Sequence, residues 1–168
     1  MGEKPLNVGF GVINEQNVEQ LRKLNSSCFP VSYNDAFYRE VVQQQNEDLS
    51  KFAYWNGFII GAVCTRVESS VDRPGRRRLY IMTLGVLAAY RNRGVGSKLI
   101  ASVLEYFDQN KNGELSDVDE ITLHVQTSNV DAMNFYIKGF GFEKGEMVKN
   151  YYKRIDPPDC FVLSKKLR

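Results

Sequence analysis

The reading of the chain turns on one stretch, Leu84-Gly85-Val86-Leu87-Ala88-Ala89-Tyr90-Arg91-Asn92-Arg93-Gly94-Val95-Gly96-Ser97-Lys98. Into it runs Leu79–Leu87 (LYIMTLGVL), nearly continuous apolar sequence that predicts a central strand covered on both faces. Gly85 within it signals a bulge or a close backbone approach. Beyond the stretch, Leu99, Ile100, Val103, Leu104 and Phe107 recur at helical spacing and predict a helix over Ser97–Gln109. A strand thus enters a basic, glycine-containing turn that opens a helix. The first N–H groups of a helix are unpaired and carry partial positive charge, which suits an anion. Gly94 and Gly96 let an oxygen reach the backbone without meeting a Cβ. Arg91 and Arg93 add charge, so Arg91, Asn92, Arg93, Gly94, Val95, Gly96 and Ser97 read as a cradle for a diphosphate. The order of glycines and Lys98 does not fit a GxxxxGK[ST] loop, and Leu99 stands where a dinucleotide fingerprint needs Gly or Ala. On spacing alone, a glycine turn with two solvated arginines is an equal alternative.

Outward from this junction the elements alternate. Leu6–Ile13 reads as a strand, and Asn14 as the cap of a helix to about Ser27 with Val18, Leu21 and Leu24 on one face. Pro30 breaks that helix and Asn34 caps a second, Asp35 to about Gln44. Phe52–Trp55, Asn56-Gly57 and Phe58–Val67 form a hairpin with a type I′ turn. Polar loops are expected at Glu68–Arg78 and Asp108–Asp119. Ile121–Val125 is a strand, Asn129–Lys138 a helix ended by Gly139, and Phe140–Val148 and Asp159–Leu167 are closing strands. The order β-α-α-β-β-β-α-β-α-β-β is mixed α/β.

Composition excludes several classes. The 168 residues are 43% hydrophobic and 25% charged, an ordinary globular balance that fits one domain. With 22 basic against 20 acidic residues, the net charge of +2 gives no reason to expect nucleic acid or an anionic membrane as partner. No apolar run approaches the ~20 residues of a membrane span. MGEKPLNVGF lacks the apolar core of a signal peptide, and Leu6 stands where myristoylation of Gly2 needs Ser or Thr. The expected location is therefore cytoplasmic, with the nucleus open. Cys28, Cys64 and Cys160 lack CxxC spacing and read as small buried hydrophobes. His124 is the only histidine, so a multi-histidine metal site is excluded and no metal is expected.

The motif Arg91-Asn92-Arg93-Gly94-Val95-Gly96, R-x-x-G-x-G, resembles the acetyl-CoA motif of the GNAT acetyltransferases, and the order of elements matches that family along nearly the whole chain. FPVSYND at 29–35, LYIMTLGVL at 79–87, LHVQTSN at 123–129 and NYYKRI at 150–155 are similar to the catalytic subunits of NatE-type N-terminal α-amino acetyltransferases. The resemblance implies a single GNAT domain over 1–168, with a mixed sheet of about seven strands and about four helices. It implies direct acetyl transfer from acetyl-CoA to a protein's α-amine, preferably Met followed by a hydrophobic residue. It places Tyr80 and His124 as the base pair, although by themselves His124 reads as a satisfied core histidine in a buried strand and Tyr80 as strand packing. Leu84 and Val86 would hold the pantetheine arm, with a backbone N–H near Gly85 facing the developing oxyanion. Asn129 would touch the cofactor while capping its helix, and Tyr136 would stand at the thioester sulfur, with packing beside Phe135 an equal alternative. Phe29, Pro30, Val31, Tyr33 and Met82 would line the pocket for the first substrate residues, and Tyr151 and Tyr152 would close over the peptide backbone. A NatA-type complex and the ribosome are the partners implied.

Two other readings stand beside this one: a lysine or small-amine acetyltransferase of the same fold, and a non-catalytic acetyl-CoA-binding scaffold. The basic run Arg73, Arg76, Arg77 and Arg78 reads as a solvated face, or else as a surface for an acidic partner.

Overall fold

A computed structural model describes residues 3–44 and 46–168, so Gly2, considered above for lipidation, lies outside the described residues. The elements are β1 (Gly9–Val12), α1 (Val18–Cys28), α2 (Asp35–Gln43), β2 (Ser50–Trp55), β3 (Phe58–Ser69), β4 (Arg77–Val86), α3 (Val95–Asn110), β5 (Val118–Gln126), α4 (Val130–Phe140), β6 (Glu143–Val148) and β7 (Cys160–Lys166). The strands form a mixed seven-stranded sheet in the order β1-β2-β3-β4-β5-β7-β6. The pair β4–β5 is parallel, while β1–β2, β2–β3, β5–β7 and β6–β7 are antiparallel. The chain divides into two compact units, one of residues up to Arg66 with Met82–Asn110, the other of Val67–Ile81 with Lys111–Arg168. The divisions fall within β3, within β4 and at the end of α3.

In the first unit Ile13, Leu21, Leu24, Tyr38, Val41, Phe52, Ala62 and Cys64 form a buried cluster, with Cys28, Tyr33 and Met82 packed on it half-buried. Helix α1 starts later than Asn14. The Asn14 side chain accepts from the Gln16 and Asn17 N–H groups and so shapes the turn before the helix. Asn34 does cap α2, accepting from Phe37 N at 3.1 Å. In the hairpin Asn56 has φ 50° and Gly57 φ 79°, the two left-handed residues that a type I′ turn requires. Helix α3 buries Val95, Leu99, Ile100, Val103, Tyr106 and Phe107.

In the second unit the buried side chains include Leu79, Ile81, Val118, Ile121, Leu123, Val125, Tyr136, Phe142 and Leu163. Helix α4 runs through Gly139 and Phe140. Its left-handed terminator is Gly141, φ 74°, so the expected stop at Gly139 and strand start at Phe140 are both displaced. The expected loop at 68–78 is also shorter, because β4 begins at Arg77.

β4 is not covered on both faces. Leu79, Ile81, Thr83 and Gly85 are buried, whereas Arg78, Tyr80, Met82, Leu84 and Val86 alternate with them half-buried. Successive side chains of a strand point to opposite faces. One face of β4 is therefore core and the other is left partly open.

The basic run is not a free surface either. Arg73 meets Asp119 at 2.7 Å and Glu120 at 3.0 Å, Arg76 meets Asp119 at 3.2 Å, Arg77 meets Asp117 at 2.6 Å, and Arg78 meets Glu68 at 2.8 Å. All four guanidinium groups are answered by carboxylates of the same unit.

Candidate active site

Each unit holds a distinct set of functional groups. In the first, β4 ends at Val86, a 3-10 turn follows at Ala88–Tyr90, and α3 opens at Val95. The turn between them contains two left-handed residues, Asn92 with φ 62° and Gly94 with φ 80°. Lys98 N donates to Gly94 O at 3.0 Å as the helix begins. Arg91 is exposed, and its Nε donates to the Val86 carbonyl at 2.9 Å, folding the turn back on the strand end. Leu87 N donates to Ile60 O at 2.9 Å, which ties that end to β3. The result is an open glycine turn at a helix N-terminus with an arginine beside it, and the donor chemistry suits a diphosphate. Arg93 Nε donates to Lys4 O at 3.0 Å.

Gly85 realises a close approach, made by protein. A Cβ there would lie 3.1 Å from Phe29 Cζ and 3.3 Å from Cys28 Sγ. The end of α1 is thus pressed against the strand, and the Phe29 N–H closes the helix on Asn25 O at 2.9 Å. Phe29 meets Tyr33 edge-on, ring centroids 6.2 Å apart, and Tyr33 lies 4.7 Å from Phe37. Phe29, Tyr33 and Met82 are all half-buried in this unit, as is Val31, while Pro30 is exposed. Phe29, Tyr33 and Phe37 form a run of ring contacts, and Tyr33 and Met82 both pack on the buried cluster of this unit.

In the second unit, parallel pairing sets Tyr80 beside Thr122, and His124 follows two residues on along the same face. Tyr80 Oη and His124 Nδ1 are 2.6 Å apart. Tyr151 stacks on the imidazole at 4.4 Å with an 11° tilt, and Tyr152 meets Tyr151 edge-on at 4.9 Å. Burial, then the nearby Arg78 charge, hold the His124 pKa below its ordinary value, with Glu68 opposing. The imidazole is therefore neutral at neutral pH and can accept a proton. Asn129 caps α4, accepting from Ala132 N at 3.1 Å. Tyr136 is buried between Phe135 and Phe142, and burial pushes its phenol pKa up.

The thiols offer no nucleophile. Burial pushes Cys64 up to about 12 and raises Cys160. Cys28, which is half-buried rather than buried, is also raised by burial against the opposing Arg91 charge. Each stays protonated at neutral pH.

Sequence reading missed the stack of Tyr151 on His124, the Arg78–Glu68 pair around it, and the contacts of Arg93 with the N-terminal segment. None carries a local motif: Glu68 and Arg78 face each other across a loop, and Arg93 and Lys4 are 89 positions apart.

The profile of the acetyltransferase (GNAT) family matches residues 18–142. N-alpha-acetyltransferase 50 of Danio rerio is 48% identical over 161 residues, covering 96% of this chain and 89% of that protein. Probable N-acetyltransferase san of Drosophila melanogaster is 43% identical over 161 residues, covering 96% and 82%. Among solved structures, Arabidopsis thaliana Naa50 in complex with the bisubstrate analogue CoA-Ac-MVNAL superposes with a TM-score of 0.82 at 42% identity, covering 95% of this chain and 99% of that one. The chain belongs to the GNAT family of acetyltransferases. Within that family it is an N-α-acetyltransferase, and its acyl donor is acetyl-CoA.

Proposed function

We propose that the enzyme acetylates protein N-termini that begin with Met followed by a hydrophobic residue, with Tyr80 and His124 removing the proton of the attacking amine. The observation that carries this is the 2.6 Å contact between the Tyr80 hydroxyl and Nδ1 of an imidazole kept neutral by its surroundings. A phenol of pKa near 10 donates to a neutral imidazole. As the amine attacks, its proton passes to Tyr80 Oη, directly or through one water, while the phenol proton moves to Nδ1. Tyr80 relays and His124 stores the charge. Such assistance is worth ~10²–10⁴-fold.

Acetyl-CoA supplies the thioester carbonyl that the amine attacks. The Arg91–Ser97 turn would hold its diphosphate through backbone N–H groups and the Arg91 charge, and Leu84 and Val86 would carry the pantetheine arm; the contact from Asn129 is what the family resemblance implies. Tyr136 is a weaker acid than free tyrosine because it is buried, so it steadies the leaving sulfur by donating a hydrogen bond rather than by yielding its proton. With every thiol protonated, direct transfer is favoured over an acetyl-cysteine. Phe29, Pro30, Val31, Tyr33 and Met82 receive the first side chains, and Tyr151 and Tyr152 hold the peptide backbone.

Docking on a NatA-type complex at the ribosome, and with it a cytoplasmic and nuclear location, belong to the same proposal and rest on the family resemblance alone. The ion-paired arginine run adds no support.

The test is steady-state kinetics of the purified chain on three peptides: Met-Leu, Ser-Ser, and one with a blocked N-terminus and an internal lysine. The proposal expects kcat/KM highest for Met-Leu by a graded margin, since an apolar pocket discriminates by only about 1–3 kcal/mol per methylene. Fastest turnover of the lysine peptide would overturn it. Acetyl-CoA binding without CoA release on any peptide would point to the scaffold instead.

A further inference from the structure

The N-terminal segment crosses the diphosphate turn and is fastened to it from both sides. Leu6 N donates to Arg93 O at 3.0 Å, and Arg93 Nε donates back to Lys4 O at 3.0 Å. Lys98, one turn into α3, donates through Nζ to Leu6 O at 2.5 Å. The Glu3 carboxylate lies 3.4 Å from Arg93 Nε. Pro5 is the nearest residue to the open side of Gly94, with its Cβ 3.9 Å from where a Cβ on Gly94 would sit. Leu6 is only 4% exposed, which anchors the segment.

This fastening meets a specific need. Asn92 and Gly94 are both left-handed within three residues. For Asn92 that conformation is sparsely populated, and it persists only where surrounding structure over-determines it. Arg91 and Asn92 are exposed; the Arg91 side chain is tied back to the Val86 carbonyl, and the left-handed Asn92 and Gly94 stand on either side of Arg93. The N-terminal segment is the neighbour that grips Arg93 through both its main chain and its side chain.

We propose that Arg93 is a positioning residue: it clamps residues 3–6 onto the Gly94 turn and keeps the turn in its diphosphate-binding shape, while its Nε is spent on a peptide carbonyl rather than on the coenzyme. The inference rests on the cradle reading above.

The experiment measures acetyl-CoA dissociation constants by calorimetry at several salt concentrations. The proteins are the wild type, Arg93→Met, a variant lacking residues 2–5, and the combination. Loss of the clamp amounts to one or two hydrogen bonds, so each single variant should bind about tenfold more weakly. The combination should be no worse than either, and the salt dependence should stay that of the wild type. Amide exchange over 91–98 should quicken in both singles without coenzyme, and KM for acetyl-CoA should rise more than kcat falls. If Arg93 instead touches the diphosphate, Arg93→Met alone loses affinity, its salt dependence flattens as a cation leaves the anion, and the deletion binds normally; that result overturns the proposal. If Arg93→Met fails to fold, the deletion decides, and a wild-type constant there overturns it. A Gly94→Val/Gly96→Val control separates the two claims. Normal binding by that control sinks the cradle reading, whereas lost binding there with unaffected clamp variants sinks only the clamp.

Discussion

The two glycines of the turn should fail for different reasons when replaced by alanine. Gly94 has φ 80°, and the nearest atom to a Cβ placed on it, from Pro5, is 3.9 Å away. The space is adequate, so the penalty is backbone strain, ~1–2 kcal/mol for a residue with a Cβ in the left-handed region. That is a factor of roughly 5–30 in an equilibrium constant. The penalty appears in one of two places. If the turn holds its shape without coenzyme, stability drops, by about 2–4 °C in Tm per kcal/mol for a chain of this size. If the turn relaxes, acetyl-CoA must restore it and the dissociation constant rises by the same factor. Gly96 lies inside α3, and alanine is the better helix former. Gly96→Ala should therefore keep or raise Tm, and lose affinity only because a methyl group stands where a phosphate oxygen approaches. Thermal melts with and without acetyl-CoA, together with calorimetry, read both quantities. The reasoning is refuted if Gly94→Ala leaves Tm and affinity at wild-type values. It is equally refuted if Gly96→Ala lowers Tm as far while binding normally.

Tyr80→Phe and His124→Phe should each cut kcat by ~10²-fold or more with the acetyl-CoA dissociation constant unchanged, as stopped-time product assays and calorimetry would show. Arg78 lowers the His124 pKa and Glu68 raises it. Arg78→Gln should thus move the acid limb of the kcat/KM profile to higher pH, and Glu68→Gln to lower pH; shifts of the same sign in both variants would refute the assignment. Tyr151→Ala removes the 4.4 Å stack on His124 and the proposed grip on the substrate backbone, so peptide KM should rise severalfold with acetyl-CoA KM unmoved. Phe29→Ala should lower kcat/KM for Met-Leu by about 1–3 kcal/mol equivalent while a small-residue peptide changes less, measured as a ratio of the two substrates.

Most of the element order was legible because turn chemistry is local. Asn34, Asn56-Gly57 and the strand-turn-helix at 84–98 act within a few residues of themselves. Boundaries slipped where two local signals competed. Helix α1 is entered at Asn17 rather than at Asn14, and Gly141 rather than Gly139 adopts the left-handed conformation that ends α4. β4 read as buried on both faces because its open-face residues Tyr80, Met82, Leu84 and Val86 are themselves mostly apolar, so both faces have the composition of a core. The arginine run looked solvated because its carboxylates, Asp117, Asp119 and Glu120, stand some forty residues later. Within the candidate site, the turn conformation of a motif glycine such as Gly94 follows from local sequence. The orientation of Arg93 toward Lys4 and the stacking of Tyr151 on His124 depend on long-range packing that no window of sequence contains.

The alternation along β4 also limits how the family can vary there. Inserting or deleting one residue upstream of Tyr80 would exchange the two sets of side chains, turning Leu79, Ile81 and Thr83 outward and the chemistry-bearing set into the hydrophobic interior. Length changes in this strand would be lethal to fold and catalysis at once, so diversification of substrate preference must proceed by swapping side chains at fixed spacing. A connecting loop, which carries no such alternation, would absorb an added residue without exchanging the two faces.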